Sequence, residues 1–359
     1  MPTNKHPYPN NPYSRRKAEH MALATRFTGT GNELDQIHFV HQSLPTVAAD
    51  QVDLSTSFLG QHFPTPLYIN AMTGGSARAK VVNGQLAAIA ARLHLPMAVG
   101  SLSAALKVPA LAETFTIARE NNPDGFLMAN IGADKTVADA EQAIALIGAD
   151  ALQIHLNTVQ ETIMPEGQVV PNWRAHIQAI AAAVSVPIVV KEVGFGMSRD
   201  TLAALPRIGI TTADISGRGG TNFAEIENAR RPGRDFAYLA DWGLTTAQSL
   251  LESQDFPGTV LASGGISDPL QVLTALRLGA SGVGVAGWLL RTLLDQGPEA
   301  AEEQLRTWLA QLPQLMALVN AANLSALKKQ PIWYDEPLLS YAQPRRLSLP
   351  YITTPSGLA

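Results

Sequence analysis

The 359-residue chain contains no cysteine. Disulfides, thiolate metal sites and a cysteine nucleophile are therefore excluded, and a reducing compartment suits such a chain. No run of about 18 apolar residues occurs, so no membrane-spanning helix is expected. The opening stretch MPTNKHPYPNNPYSRRK lacks the apolar segment that a secretory signal carries. Charge of one sign is also scarce: the net charge is −4. So small an imbalance gives no reason to expect a nucleic-acid or membrane-surface partner. A cytoplasmic location is the expectation. Aromatic residues make up only 6%, against 46% hydrophobic residues in all, which implies a large core filled mainly by aliphatic side chains.

What is present has an order. Residues 1–12 are rich in Pro, Asn and Tyr and read as a loose arm. Ser14 is a good N-cap for the helix-favouring RRKAEHMALATRF that follows. Residues 28–66 show no sustained period and read as loops with a short hairpin. From residue 66 a rhythm sets in. Short apolar runs at 66–75, 96–101, 126–132, 151–157, 187–196, 212–221, 258–265 and 280–287 alternate with helical patterns near 77–93, 109–121, 136–147, 172–184, 199–207, 245–253 and 268–278. Continuous apolar runs are the mark of strands buried on both faces. Eight such units predict an α/β fold, a (β/α)8 TIM barrel with an N-terminal extension, the doubly wound sheet being the alternative. Residues 299–328 read as long helical stretches, with Pro313 a candidate break. The expected divisions are 1–65 for the arm, helix and loops, 66–330 for the barrel with its C-terminal helices, and 331–359 for a proline-rich tail without a helical period.

Polar and glycine residues collect at the ends of the apolar runs, where barrels of this kind build their sites. Ser263-Gly264-Gly265 precedes a helix starting near Asp268, and Ala286-Gly287 precedes another. Glycines let backbone N–H groups approach an anion, and a helix N-terminus adds a favourable field. Each pair alone is a tight turn; both at one rim favour a phosphate site. Lys191 sits inside an apolar strand and needs an anionic partner. Either it serves as a cation beside an electron-rich cofactor, or it pairs with a neighbour such as Glu192. His155 and Asn157 alternate with Leu156, so both face the barrel mouth. Gln160 and Glu161 follow in what reads as a short loop, and a carboxylate there suits Mg²⁺ if a diphosphate supplies further oxygens. The Asp214–Thr221 segment, DISGRGGT, either bonds a cofactor or acts as a mobile lid. Arg15-Arg16-Lys17 is either solvated charge or a diphosphate clamp.

Taken together, RRKAEH (15–20), NAMTGG (70–75), AVGS (98–101), ANIGA (129–133), QIHLNTVQE (153–161), VVKEVGFG (189–196), DISGRGGT (214–221) and ASGGI (262–266) resemble the type 2 isopentenyl-diphosphate isomerases over roughly residues 14–325. The resemblance implies isomerisation of isopentenyl diphosphate to dimethylallyl diphosphate by reduced FMN acting as acid/base. Mg²⁺ assists, and NAD(P)H is a reductant. Ala71, Met72, Thr73, Ser101, Asn130, Lys191, Ser216 and Thr221 would contact the flavin. Gly264, Gly265, Ile266, Ser267, Ala286 and Gly287 would hold its phosphate. Arg16, Lys17, Ser101, Asn157 and Gln160 would bind substrate, Glu161 would hold Mg²⁺, and Gln160, Lys191 and His155 would carry the catalysis. A homo-oligomer, a tetramer or octamer, is also implied. The chain departs from some members of that family at Ser103 and near Ser267, where they carry a basic residue.

Neighbouring FMN barrels fit less well. A chemistry like that of IMP dehydrogenase needs a cysteine. A 2-hydroxy-acid oxidase resembles the SGRGGT region but carries a His in a HGGR-type segment, and the matching stretch here has none.

Overall fold

The computed structural model describes residues 15–17, 19–20, 23, 31–167 and 172–350. The expected arm at 1–12, the Ser14 cap and residues 351–359 lie outside these. The described residues among 15–23 are helical, as the sequence there predicts.

Three short strands precede the core: β1 (Ile37–Phe39), β2 (Thr56–Phe58) and β3 (Gln61–Phe63). The core itself is β4 (Leu67–Ile69), β5 (Met97–Ala98), β6 (Leu127–Gly132), β7 (Ala151–His155), β8 (Ile188–Lys191), β9 (Thr212–Asp214), β10 (Thr259–Ala262) and β11 (Gly282–Val285). Each falls inside one of the eight apolar runs. They pair in parallel and in sequence, and β11 closes on β4. This is the expected (β/α)8 barrel. The register sets Asn130 opposite Gln153, Gly132 opposite His155 and Lys191 opposite Asp214.

Helices pack the outside with aliphatic faces. Ala77–Leu93 starts where Ser76 accepts from the amide of Ala79, and it buries Val82, Leu86, Ile89 and Leu93. Burial of each large aliphatic there contributes roughly 1.5–3 kcal/mol. Pro269–Arg277 is started by Asp268, whose carboxylate accepts from Gln271 N, with Pro269 in the first turn. The β2–β3 hairpin lies against the N-terminal end of the barrel: Thr56 donates to the carbonyl of Ser281, just before β11. Phe58 and Phe63 stack there, centroids 4.4 Å apart, over Tyr68, Met128, Val189 and Leu261.

Three segments differ from the sequence reading. The helix Pro298–Leu318 runs through Pro313 without a break. A further helix, Phe223–Arg230, stands between the runs at 212–221 and 245–253, where the sequence suggested no element. The segment after 330 has regular structure: β12 (Ile332–Tyr334) pairs antiparallel with β1, and the helix Glu336–Arg345 packs near Thr246–Glu252. Its anchor is the buried carboxylate of Glu252, which accepts from Tyr341 at 2.7 Å, from Arg345 at 2.6 and 2.8 Å, and from the amide of Arg199 at 2.8 Å. Among the described residues no helix is long and apolar enough to cross a membrane.

Candidate active site

The C-terminal ends of the barrel strands surround one cavity of about 770 Å³. Every residue expected from the sequence to touch substrate, flavin or metal lines it. Ala71, Met72 and Thr73 follow β4, and Ser101 follows β5. Asn130, His155 and Asn157 come from β6 and β7. Gln160 and Glu161 lie on a short helix, Thr158–Ile163, and not in a loop. Lys191 ends β8, and Ser216 and Thr221 follow β9. Gly264, Gly265, Ile266, Ser267, Ala286 and Gly287 close the circle, and Arg16 and Lys17 come in from the N-terminal helical residues.

The glycine turns have the geometry of an anion cradle. Gly264 has φ +108°, and a Cβ on it would lie 2.1 Å from the carbonyl oxygen of Gly217. The loops after β9 and β10 therefore touch backbone to backbone. Among the described residues the amides of Gly265, Ile266 and Gly287 donate to no protein acceptor. Free amides beside a helix N-terminus suit a phosphate. Ser267 is exposed, and its amide and hydroxyl both face Gln271 Oε1, at 3.0 and 3.3 Å. The sequence reading passed over Arg291. Its guanidinium lies 3.7 Å from where a Cβ on Gly287 would be, and among the described residues no acid pairs with it. Asn32 ties the incoming chain to this rim, donating to Gly265 O at 2.9 Å and Gln271 Oε1 at 2.8 Å.

Lys191 finds its counter-ion across the sheet. Its Nζ donates to the carbonyl of Glu192 at 2.6 Å and stands 3.8 Å from Asp214 Oδ2. The Glu192 carboxyl faces the amide of Val193, and burial pushes its pKa up to about 8. Asp214 is wholly buried. It accepts from Tyr68 Oη at 2.8 Å, Asn70 Nδ2 at 2.9 Å, Ser263 Oγ at 2.7 Å and the amide of Ser216 at 3.1 Å. Ser216 itself sits at φ +28°, a sparsely populated backbone region that is common where sites are built.

A second network stands behind Gln160. Gln160 Nε2 donates to Glu227 Oε1 at 2.8 Å, His20 Nε2 lies 2.9 Å from the same oxygen, and Arg230 donates to Glu227 Oε2 at 2.6 Å. Burial opposes the charge on Glu227, yet the bonds from His20, Gln160 and Arg230 outweigh it and hold its pKa below the usual carboxylate value. Glu227 and Arg230 come from the helix that the sequence reading missed. Asn157 Nδ2 donates to Glu161 Oε1 at 3.0 Å.

Lys17 is pulled down to about 8, by desolvation first and the neighbouring Arg16 second. His155 is pulled down to about 3 by burial and then by Lys17 and Lys191, so its ring is neutral at physiological pH. Two adjacent cations with one proton held loosely form a wall suited to an anion. Among the described residues no group of three or more His, Asp or Glu side chains is placed to hold a metal by itself. Any Mg²⁺ at Glu161 must take most of its oxygens from a ligand.

Residues 118–334 match the FMN-dependent dehydrogenase family. The chain is 49% identical over 340 residues to an isopentenyl-diphosphate delta-isomerase of Latilactobacillus sakei subsp. sakei (strain 23K), covering 94% of this chain and 97% of that one. It is 47% identical to one of Kitasatospora griseola, covering 94% and 93%, and 44% identical to one of Listeria innocua serovar 6a, covering 93% and 95%. Among solved structures, a flavocytochrome b2 with pyruvate bound superposes with a TM-score of 0.63 at 19% identity, covering 94% of this chain and 86% of that one. A mandelate oxidase with a monooxide FMN adduct gives 0.60 at 15%, covering 88% and 92%. At such identities the two structures speak for the fold alone.

Proposed function

The chain belongs to the isopentenyl-diphosphate delta-isomerase family, and we propose on that premise that it converts isopentenyl diphosphate to dimethylallyl diphosphate with FMN, Mg²⁺ and no net redox change. The observation that carries this reading is a single cavity with two anion-binding ends. The glycine turns with Arg291 belong to β10 and β11, whereas Arg16, Lys17 and Asn157 gather near β7, across the barrel. One end suits the phosphate of a flavin and the other the diphosphate of a substrate. Lys191 and Gln160 lie on the wall between them.

Bound and reduced, FMN supplies an acid/base at the alkene, with NAD(P)H as one source of its electrons. The protein positions and tunes. Lys191, balanced by Asp214, would stabilise negative charge on the reduced flavin. Thr73, Ser101, Asn130, Ser216 and Thr221 line the cavity and would contact the flavin, with Ala71 and Met72 beside its ring. Arg16 and Lys17 take the diphosphate, with Asn157 beside it, and Glu161 would hold Mg²⁺ against the diphosphate oxygens. That fixes the carbon skeleton for gain of a proton at C4 and loss of one at C2, a positioning contribution. Gln160 is oriented by Glu227 at its NH₂ and accepts from Asn157 Nδ2 at 3.4 Å, so its carbonyl oxygen is the end that would face the alkene. We also propose a cytoplasmic homo-oligomer, tetramer or octamer. The exposed Tyr238 and Trp242, at 76% and 59%, support a protein–protein contact there.

The test is an anaerobic assay with FMN, a reductant, Mg²⁺ and isopentenyl diphosphate in deuterium oxide. Deuterium in dimethylallyl diphosphate is the expected result. A reduced flavin with no exchange into substrate or product refutes the isomerase reading. Oxygen consumption with a hydroxy acid would replace it by an oxidase.

A further inference from the structure

Five polar side chains form a connected path through the barrel, from the cavity wall to the buried carboxylate. His155 Nδ1 lies 2.9 Å from Asn130 Oδ1. Asn130 Nδ2 donates to Gln153 Oε1 at 3.0 Å, and Gln153 Nε2 donates to Asn70 Oδ1 at 3.3 Å. Asn70 Nδ2 donates to Asp214 Oδ2 at 2.9 Å.

The direction of this path is not a free choice. Asp214 is an acceptor at both oxygens, facing donors from Tyr68, Ser263, Ser216 and Lys191. Asn70 must therefore present its NH₂ to it. The backbone amide of Ala71 donates to Asn70 Oδ1 at 2.8 Å, which fixes the other end of the same amide independently. Gln153 must then donate to Asn70 and accept from Asn130. Asn130 must show its oxygen to His155, and the ring must carry its proton on Nδ1. Reversing any one link sets donor against donor or acceptor against acceptor in a buried space, at a cost of about 1–3 kcal/mol for each unsatisfied group.

We propose that this relay, with Gln153 as its central positioning residue, fixes His155 as the Nδ1–H tautomer and presents Nε2 to the cavity as a lone pair. Gln153 is wholly buried, and the cavity lining does not include it. It acts on the site through the two lining amides it bonds, Asn130 and Asn70, and reaches His155 through Asn130. Among the described residues Nε2 has no protein partner. Nε2 is thus an acceptor, which takes a hydrogen bond from a ligand and does not grip an anion by donation. The charged groups facing the ring are Lys17 from the N-terminal helical residues, Lys191 from β8, and Asp134 and Lys135 from the loop after β6. Burial first, and then three cations against one anion, keep the ring unprotonated, as the relay requires.

Nitrogen NMR of the FMN-loaded protein with ¹⁵N-labelled histidine tests this. His155→Gln identifies the signal pair by its disappearance from the eight histidines. The expected wild-type spectrum has a protonated Nδ1 and an unprotonated Nε2. Gln153→Leu removes the central link, frees the Asn130 amide to turn, and gives a mixture of tautomers. Gln153→Glu keeps an oxygen for Asn130, and its protonated carboxyl restores the donor to Asn70, so the Nδ1–H form returns. A wild-type ring protonated on Nε2 overturns the proposal, whether or not either variant folds. A folded Gln153→Leu protein with an unchanged tautomer overturns it equally. The readout does not involve turnover, so failure of the relay and failure of the isomerase reading are separate results.

Discussion

Replacing Glu227 by Gln changes one atom in a buried side chain, and its consequences can be worked out bond by bond. The carboxylate accepts from Gln160 at Oε1 and from Arg230 at Oε2, and His20 Nε2 lies 2.9 Å from Oε1. An amide has only one accepting end. Arg230 is a permanent cation with no accepting atom, so the new carbonyl must face it. The new NH₂ then faces Gln160. His20 accommodates this by changing tautomer, because burial holds its pKa below the usual histidine value and leaves it neutral. Gln160 has to turn its oxygen inward and its NH₂ into the cavity, which reverses the group presented to the alkene. The lost bond is charge-assisted and of the kind that contributes about 1.5–3 kcal/mol. If it is felt in the transition state, kcat falls roughly 10- to 150-fold. KM should move little, because Arg16 and Lys17 hold the other end of the substrate. Glu227 titrates below the usual glutamate value, so its contribution is complete at neutral pH and is lost only as pH falls through that lowered pKa. Steady-state kinetics at pH 7 with a parallel thermal melt is the assay. A folded, flavin-loaded Glu227→Gln enzyme with kcat within about twofold of wild type would refute the role given to this pair.

Three further outcomes are expected. The free enzyme's Lys17 loses its proton near pH 8, so KM for isopentenyl diphosphate should rise above that pH while kcat stays level, and Lys17→Arg should remove the rise; a flat wild-type profile would count against the diphosphate clamp. Gly264→Ala forces a side chain into a left-handed backbone 2.1 Å from Gly217 O; strain of about 1–3 kcal/mol should weaken FMN roughly 5- to 150-fold in a fluorescence titration, and unaltered affinity would count against the cradle. Glu252→Gln should lower stability by roughly 2–3 kcal/mol, less than a fully buried pair because Arg345 is 37% exposed and rehydrates; a denaturant melt with an unchanged midpoint would show that the C-terminal helix is held by its apolar contacts.

The barrel was legible because its strands are buried on both faces and read as unbroken apolar runs. The same reasoning failed for Phe223–Arg230, whose buried face includes Glu227 and Asn228 and so presents no apolar stripe. It failed again at Glu336–Arg345, where Pro337 stands in the first turn and Pro344 in the last, both tolerated in place but discouraging in a sequence. Lys191 was correctly seen to need an anion, and Glu192 was the wrong neighbour to weigh. Adjacent strand residues point to opposite faces, so the partner had to come from the next strand. Asp214 stands opposite Lys191 in the β8–β9 register. Composition and period cannot set such a register, and the amide path to His155 depends on it at every step.

The pairing of β1 with β12 has a mechanical consequence. Ile37 stands opposite Tyr334, and the amide of Asp335 donates to Gln36 O at 2.9 Å. The two ends of the described chain therefore leave this ribbon side by side, in an antiparallel pair. Tension applied to them opens the ribbon one bond at a time, like a zipper, and does not shear all its bonds together. Before it reaches that ribbon, the load on the N-terminal side meets Asn32, which is stitched to Gly265 and Gln271 at the glycine rim. A pull from the N-terminal side would thus load the glycine rim before the ribbon opens, while the barrel stays closed.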